Sequence, residues 1–225
     1  MKRFHLFILM MTMLFAGHGF TFAQTNDTAY YTAELESNGE IKQLLKRFQK
    51  NPTNLTTKEA SKLYYGYATL PEFKGDAHTA QHEVSKLMRA KKFEEAFDAC
   101  INGLKSYPTS LRLLYDMVYI CQQLDKQAEK ELYQWQFVSL SAAIFGSGNG
   151  SEEKPFHVVS ISDEHCFVNH FGAKILDIKS IKTEERTLNK VETTPINKLI
   201  YKGSTIWFDI TIAIKQFEKL FNEKN

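Results

Sequence analysis

Between Phe145 and Gly172 the chain reads FGSGNGSEEKPFHVVSISDEHCFVNHFG, its densest run of chemically able side chains. His157, His165 and His170 with Asp163 and Glu164 offer imidazole and carboxylate donors of the kind that hold zinc. His165 and His170 are five positions apart, however, which sets them off a common helical face, and His157 falls in an alternating, strand-like run. Surface or capping histidines, with Asp163 and Glu164 at a helix start, are the competing reading. A nucleophile would be Ser160 or Cys166 with a histidine partner. Hydrolase serines sit at a glycine-flanked elbow that is missing here, and Cys166 falls in an apolar stripe that gives no help to a thiolate. The Gly146 to Gly150 run followed by Ser151 has backbone amides that could cradle an anion. A phosphate loop needs Lys and Ser or Thr directly after the last glycine, whereas Ser151 is followed by Glu152 and Glu153. A tight turn with glycines at positive φ fits those residues better. The remaining lead is aromatic: Tyr30, Tyr31, Tyr64, Tyr65 and Tyr67 exceed what two thin helices bury, and tyrosine is a preferred interface anchor, although most of the five are expected to be core.

Elements to position these residues must come from a chain of ordinary globular composition, 225 residues long with 17 Phe and 10 Tyr, which is enough for a real core. The first residues, MKRFHLFILMMTMLFAGHGFTFAQ, have a basic start, an apolar run from Phe4 to Phe15 and small residues before Gln24. That is the pattern of a secretory signal peptide over residues 1–23, cleaved after Ala23. The apolar run is shorter than the roughly 20 residues a bilayer core demands. The expectation is therefore an exported protein, periplasmic or secreted, with no membrane anchor after cleavage. Removing Lys2 and Arg3 takes the net charge from +2 to zero, and no aromatic platform lies among the lysines, so nucleic acid is not an expected partner. No cofactor motif is present. Cys100, Cys121 and Cys166 lack zinc spacing; in an oxidising compartment Cys100 and Cys121, on adjacent helices, either pair or remain buried thiols.

Up to about residue 145 the periodicity is helical. One helix is expected over Tyr31 to Lys50. A second is capped by Thr56 with Glu59 at its third position, and ends near Pro71. Apolar stripes through Val84 to Met88, Phe93 to Leu104, Leu111 to Cys121 and Ala128 to Ala142 then predict antiparallel pairs. The pair over Ala77 to Ser110 resembles a tetratricopeptide repeat in its Phe93, Glu94, Glu95, Ala96 start and in Pro108, although Cys100 and Gly103 depart from the repeat's preferences. Two such units cannot bury their own faces, so the helical layer must pack on something else. From Gly146 onward the pattern is mainly extended. Phe156 to Ile161 reads as a strand, followed by a short helix capped by Ser162 and ending at Gly172. Lys174 to Lys182 reads as a second strand; Asn197 to Tyr201 and Thr205 to Asp209 read as a hairpin, and Ile214, Phe217, Leu220 and Phe221 mark a closing helix.

Three stretches together carry a family resemblance: Leu63, Tyr64, Tyr65, Gly66, Tyr67; Ile144 to Gly150 with Phe156 to Glu164; and Ile206 to Ile210. They resemble a Bacteroidetes family, domain of unknown function 4919, of exported proteins with a central helical region, a glycine loop and a short mixed tail. The resemblance implies no activity. The expected fold is α+β: tetratricopeptide-like helix pairs over residues 24–145, packed against a small, mainly antiparallel sheet with a closing helix over residues 146–225. The favoured function is a non-enzymatic module that binds a protein or peptide, with oligomeric state left open. The alternative is a hydrolase or metal-dependent enzyme built on His157 to His170.

Overall fold

The computed structural model describes residues 38–197 and 202–222. The expected signal peptide, Tyr30, Tyr31 and the start of the first expected helix lie outside the described residues. Helix α1, Asn38–Lys50, buries Ile41, Leu44 and Phe48 on one face and presents Lys42, Lys46 and Arg47 on the other, and it stops before Pro52. Thr56 caps α2, Thr57–Tyr67, in the reciprocal arrangement that its spacing to Glu59 predicts: Glu59 N–H donates to the Thr56 hydroxyl and Thr56 N–H donates to Glu59 Oε2 at 2.8 Å. Gly66 lets the two helices close, since a Cβ there would press on Ile41 Cδ1.

Two antiparallel pairs follow, α3, His78–Arg89, with α4, Phe93–Ser106, and α5, Leu111–Gln123, with α6, Gln127–Ser147. Small residues stand where α3, α4 and α5 converge: Ala96 is fully buried, and a Cβ on Gly103 would lie 3.2 Å from Ala80 and 3.0 Å from Leu113. No helix among the described residues is long and apolar enough to cross a membrane.

The tail is a four-stranded sheet in the order β1-β4-β3-β2, built from β1, Phe156–His157, β2, Ile175–Lys182, β3, Thr187–Asn197, and β4, Lys202–Asp209. The β1 to β4 pairing is parallel and the other two are antiparallel. Helix α7, Ile161–His170, lies between sheet and helical layer, and α8, Thr211–Asn222, closes the chain. This is the α+β architecture that the sequence predicts, but three elements differ from expectation. The strand expected over Phe156 to Ile161 keeps only its first two residues, because Val159 N–H donates to the Tyr64 hydroxyl and Ser160 already begins the next helix. Ser160, not Ser162, is therefore the cap: its hydroxyl accepts from Asp163 N–H at 3.2 Å. The hairpin is also larger than predicted, since its first strand begins at Thr187.

Sheet and helices share one core. Phe145 at the end of α6, Phe156 in β1, Phe167 and Phe171 around α7 and Phe208 in β4 form a ring cluster with mostly edge-to-face contacts and centroids 4.6 to 6.0 Å apart. Each buried ring removes apolar area worth about 1.5–3 kcal/mol, so this cluster is a principal bond between the two regions. The helical layer's need for a partner is met by α7, which packs on α5. A second, smaller cluster around Val84, Ala96, Cys100, Met117 and Ile120 holds the two helix pairs together.

Candidate functional site

The chemistry-bearing stretch does come to the junction, but as separate neighbourhoods. Asp163, in the first turn of α7, is buried. Its Oδ2 accepts from the Tyr64 hydroxyl of α2 at 2.7 Å and its Oδ1 accepts from Leu111 N–H of α5 at 3.1 Å. One carboxyl thus ties three helices together and satisfies an amide at the start of α5 that has no partner within its own helix. Burial pushes the Asp163 pKa up to about 7 against the opposing pull of the Tyr64 bond. The Tyr64 hydroxyl is itself held well above its usual value by burial and by the neighbouring carboxyl. Asp163 forms part of the wall of a narrow cleft with space for little more than a water molecule, shared with Tyr67, Lys74, Tyr107, Ser110 and Ser160.

Glu164 faces the other way, into the sheet. Its Oε2 accepts from Asn189 Nδ2 of β3 at 2.8 Å, and Asn189 Oδ1 in turn accepts from the Ser180 hydroxyl of β2. Glu164 Oε1 is buried and makes no hydrogen bond, with His165 Nε2 3.7 Å away. Burial raises the Glu164 pKa to about 7, and the Asn189 bond opposes the shift. A buried carboxyl with one unsatisfied oxygen is cheaper protonated than charged.

The three histidines do not share neighbours. His157, at the end of β1, sits 3.9 Å from Asp209 Oδ2, and burial lowers its pKa. His165 is half-exposed beside Glu164, its pKa also lowered by burial. His170 lies against the rings of Tyr115 and Phe137. No group of three or more His, Cys, Asp or Glu side chains that could hold a metal occurs among the described residues. Cys166 is buried, and burial raises its thiol well above the ordinary range, the opposite of what a nucleophile needs.

The glycine loop folds onto itself. Asn149 and Gly150 N–H both donate to Lys154 O, Ser151 N–H donates to Asn149 Oδ1, and the Ser151 hydroxyl accepts from Lys154 N–H at 3.2 Å. Gly150 O takes Trp207 N–H from β4. Those amides are committed to the turn, and Gly150 has the positive φ of 78° that a turn demands. Of the aromatic residues, Tyr64, Tyr65 and Tyr67 are core, as most of the five are expected to be, and the Tyr65 hydroxyl donates to His157 O at 3.2 Å. Cys100, Cys121 and Cys166 are buried free thiols.

Sequence reasoning missed Asn189 and Asp209, which complete the surroundings of Glu164 and His157. What stays open at the surface is backbone. Strand β2 has one neighbour, β3, and among the described residues nothing pairs with its other edge. Its side chains are exposed or half-buried throughout, and Leu176 is 67% exposed at a β-bulge between Ile175 and Asp177.

The neighbouring carboxyls of α7 join the helical layer to the small sheet of an α+β domain, Asp163 through Tyr64 and Leu111 and Glu164 through Asn189. The chain belongs to the family described as Domain of unknown function (DUF4919), whose model matches residues 26–219. Neither a curated protein nor a solved structure matches it.

Proposed function

We propose that this is an exported, non-enzymatic protein that binds another polypeptide along the open edge of β2. The single observation that carries the reading is that edge: eight residues of strand whose outer backbone groups have no partner among the described residues, beside an exposed leucine. Unpaired edge N–H and C=O groups are a template for an added strand, and main-chain bonds supply affinity in that recognition mode. Support also comes from the junction, where Asp163, Glu164, Ser151 and Cys166 are already engaged in internal bonds or buried. Export rests on the signal-like residues 1–23 alone.

Placing a photo-crosslinking residue at Leu176, with Glu129 on the exposed face of α6 as the control, tests the reading against the source organism's envelope and secreted proteins. A discrete adduct from Leu176 that Glu129 does not give is the expected result. Equal or absent adducts at the two positions would remove it.

A further inference from the structure

We infer that the occupant of the β2 edge is a second copy of this chain, paired antiparallel through β2 so that two four-stranded sheets become one. This rests on the edge-binding reading and names its partner. The argument is charge complementarity under two-fold symmetry. An antiparallel pair of identical strands places residues symmetrically about a central position, and residues opposite each other share a face of the sheet. With Ile178 at the centre, Asp177 stands opposite Lys179 of the second copy, and Lys179 opposite its Asp177. The two central isoleucines then meet each other on the face opposite the charge pairs.

Neighbouring registers lack this property. Centring on Asp177 sets two aspartates opposite each other, centring on Lys179 sets two lysines opposite, and centring on Ser180 leaves Lys179 facing Ile181. Like charges directly opposite are destabilising and opposite charges stabilising, so of these four registers the one centred on Ile178 is favoured; it also brings an Asp177 to Lys179, which faces Lys190 of β3, and a Lys179 to Asp177, which faces Glu192. The exposure pattern agrees. Asp177, Lys179 and Leu176 are exposed, Ile175, Ile178 and Ile181 are half-buried, and all would be covered by the second copy. The bulge between Ile175 and Asp177 interrupts the regular alternation at Leu176, so the self-paired stretch is centred on Asp177 to Lys179 and leaves Ile175 and Lys174 beyond it.

Sedimentation equilibrium on the mature chain tests this with three variants. The wild-type chain should dimerise reversibly. Asp177→Lys, which puts like charges opposite at two symmetric places, should raise the dimer Kd by about tenfold or more. Combining Asp177→Lys with Lys179→Asp should restore the wild-type value to within about threefold, because the pairing is re-formed with signs exchanged. All these side chains are exposed, so circular dichroism should show unchanged folding. Ile178→Cys should in addition give a covalent dimer on oxidation, since opposed residues at an antiparallel centre have Cα atoms within disulfide reach. A wild-type chain that stays monomeric at about 100 µM, or a Kd indifferent to Asp177→Lys, overturns the inference. In that event a Leu176 adduct with a different protein leaves edge binding standing with another occupant, whereas no adduct at all removes both.

Discussion

The Tyr64 hydroxyl and the Asp163 carboxyl, 99 positions apart in the chain, meet at 2.7 Å in the buried seam between α2 and α7. The same hydroxyl accepts from Val159 N–H, so one phenol oxygen both completes a buried acid and ends a strand. Removing it leaves a buried amide and a buried carboxyl oxygen short of a partner. Tyr64→Phe should therefore lower unfolding stability by about 1–3 kcal/mol. Tyr65→Phe should cost less, because the bonds of its hydroxyl to His157 O at 3.2 Å and Ala143 O at 3.4 Å are longer. Urea midpoints of the two variants, at unchanged m-value, decide the order.

Ser160 provides a second test, of where α7 begins. Ser160→Ala removes the cap that accepts from Asp163 N–H and should cost about 1 kcal/mol in thermal or urea unfolding. Ser162→Ala should cost less, since Ser162 lies in the first turn and bonds the Asp76 carboxylate at the exposed surface. Equal losses would return the cap to Ser162.

How far the fold was legible follows from where periodicity was clean. Thr56 and Glu59, the stripes of α3 to α6 and the small Ala96 and Gly103 announce themselves, because capping and helix crossing depend on local spacing. The start of β3 does not. Its inward face carries Asn189, Val191 and Thr193, and two of these three are polar, so the apolar alternation that marks a strand is missing; Pro195 falls within it as well. Asn189 is buried because Glu164 is there to receive its amide, a partner 25 positions away that no local pattern reveals. The partner of Tyr64 is hidden for the same reason: Tyr64 is a core residue whose hydroxyl is satisfied by Asp163, 99 positions away. Signal-like residues 1–23 and the aromatic pair Tyr30 and Tyr31 lie outside the described residues.

Three buried free thiols give a third prediction. Cys100 is buried and its thiol donates to Leu113 O at 3.3 Å, burial raises the Cys121 pKa to about 11, and Cys166 is raised further. Thiolate is the reactive form, so none of the three should react with a disulfide reagent at pH 8 while the chain is folded, and all three should react in denaturant. Mass spectrometry of air-exposed protein should show no loss of hydrogens from a Cys100 to Cys121 bridge.

Two glycines of one loop should respond oppositely to alanine. Gly148 is in extended backbone, so its need is for space: a Cβ there would collide with the backbone carbonyls of Pro155 and Lys154, which are fixed by the turn. Gly148→Ala should destabilise by about 1–3 kcal/mol. Gly146 is in the last turns of α6 with nothing near the position of a Cβ, and Gly146→Ala should leave stability unchanged or raise it by up to about 1 kcal/mol. Comparing thermal midpoints separates close approach from a simple preference for flexible loop residues.

The paired acids of α7 predict an inverted pH dependence. Asp163 and Glu164 each have a folded pKa pushed up to about 7 by burial, against about 4 in the unfolded chain. Between about pH 4 and 7 the folded state therefore holds more protons than the unfolded state. Their contribution is most favourable at the acidic end, is lost at up to about 1.4 kcal/mol per pH unit for each carboxyl as pH rises toward 7, and is level above that. His157 works in the opposite direction, because burial lowers its pKa and its ionisation on unfolding weakens the fold as pH falls below about 6.5. The two effects separate by substitution. Glu164→Gln keeps the volume, still accepts from Asn189 Nδ2 and places an amide where Oε1 has no hydrogen bond, but it cannot ionise. Its urea midpoint should change less than that of the wild-type chain between pH 5 and pH 8, and above pH 7 it should be the more stable of the two by at least about 1 kcal/mol. Parallel pH profiles would mean that Glu164 is charged in its buried site and that the clasp of α7 on β3 is an ion held by Asn189 and His165, not a neutral acid.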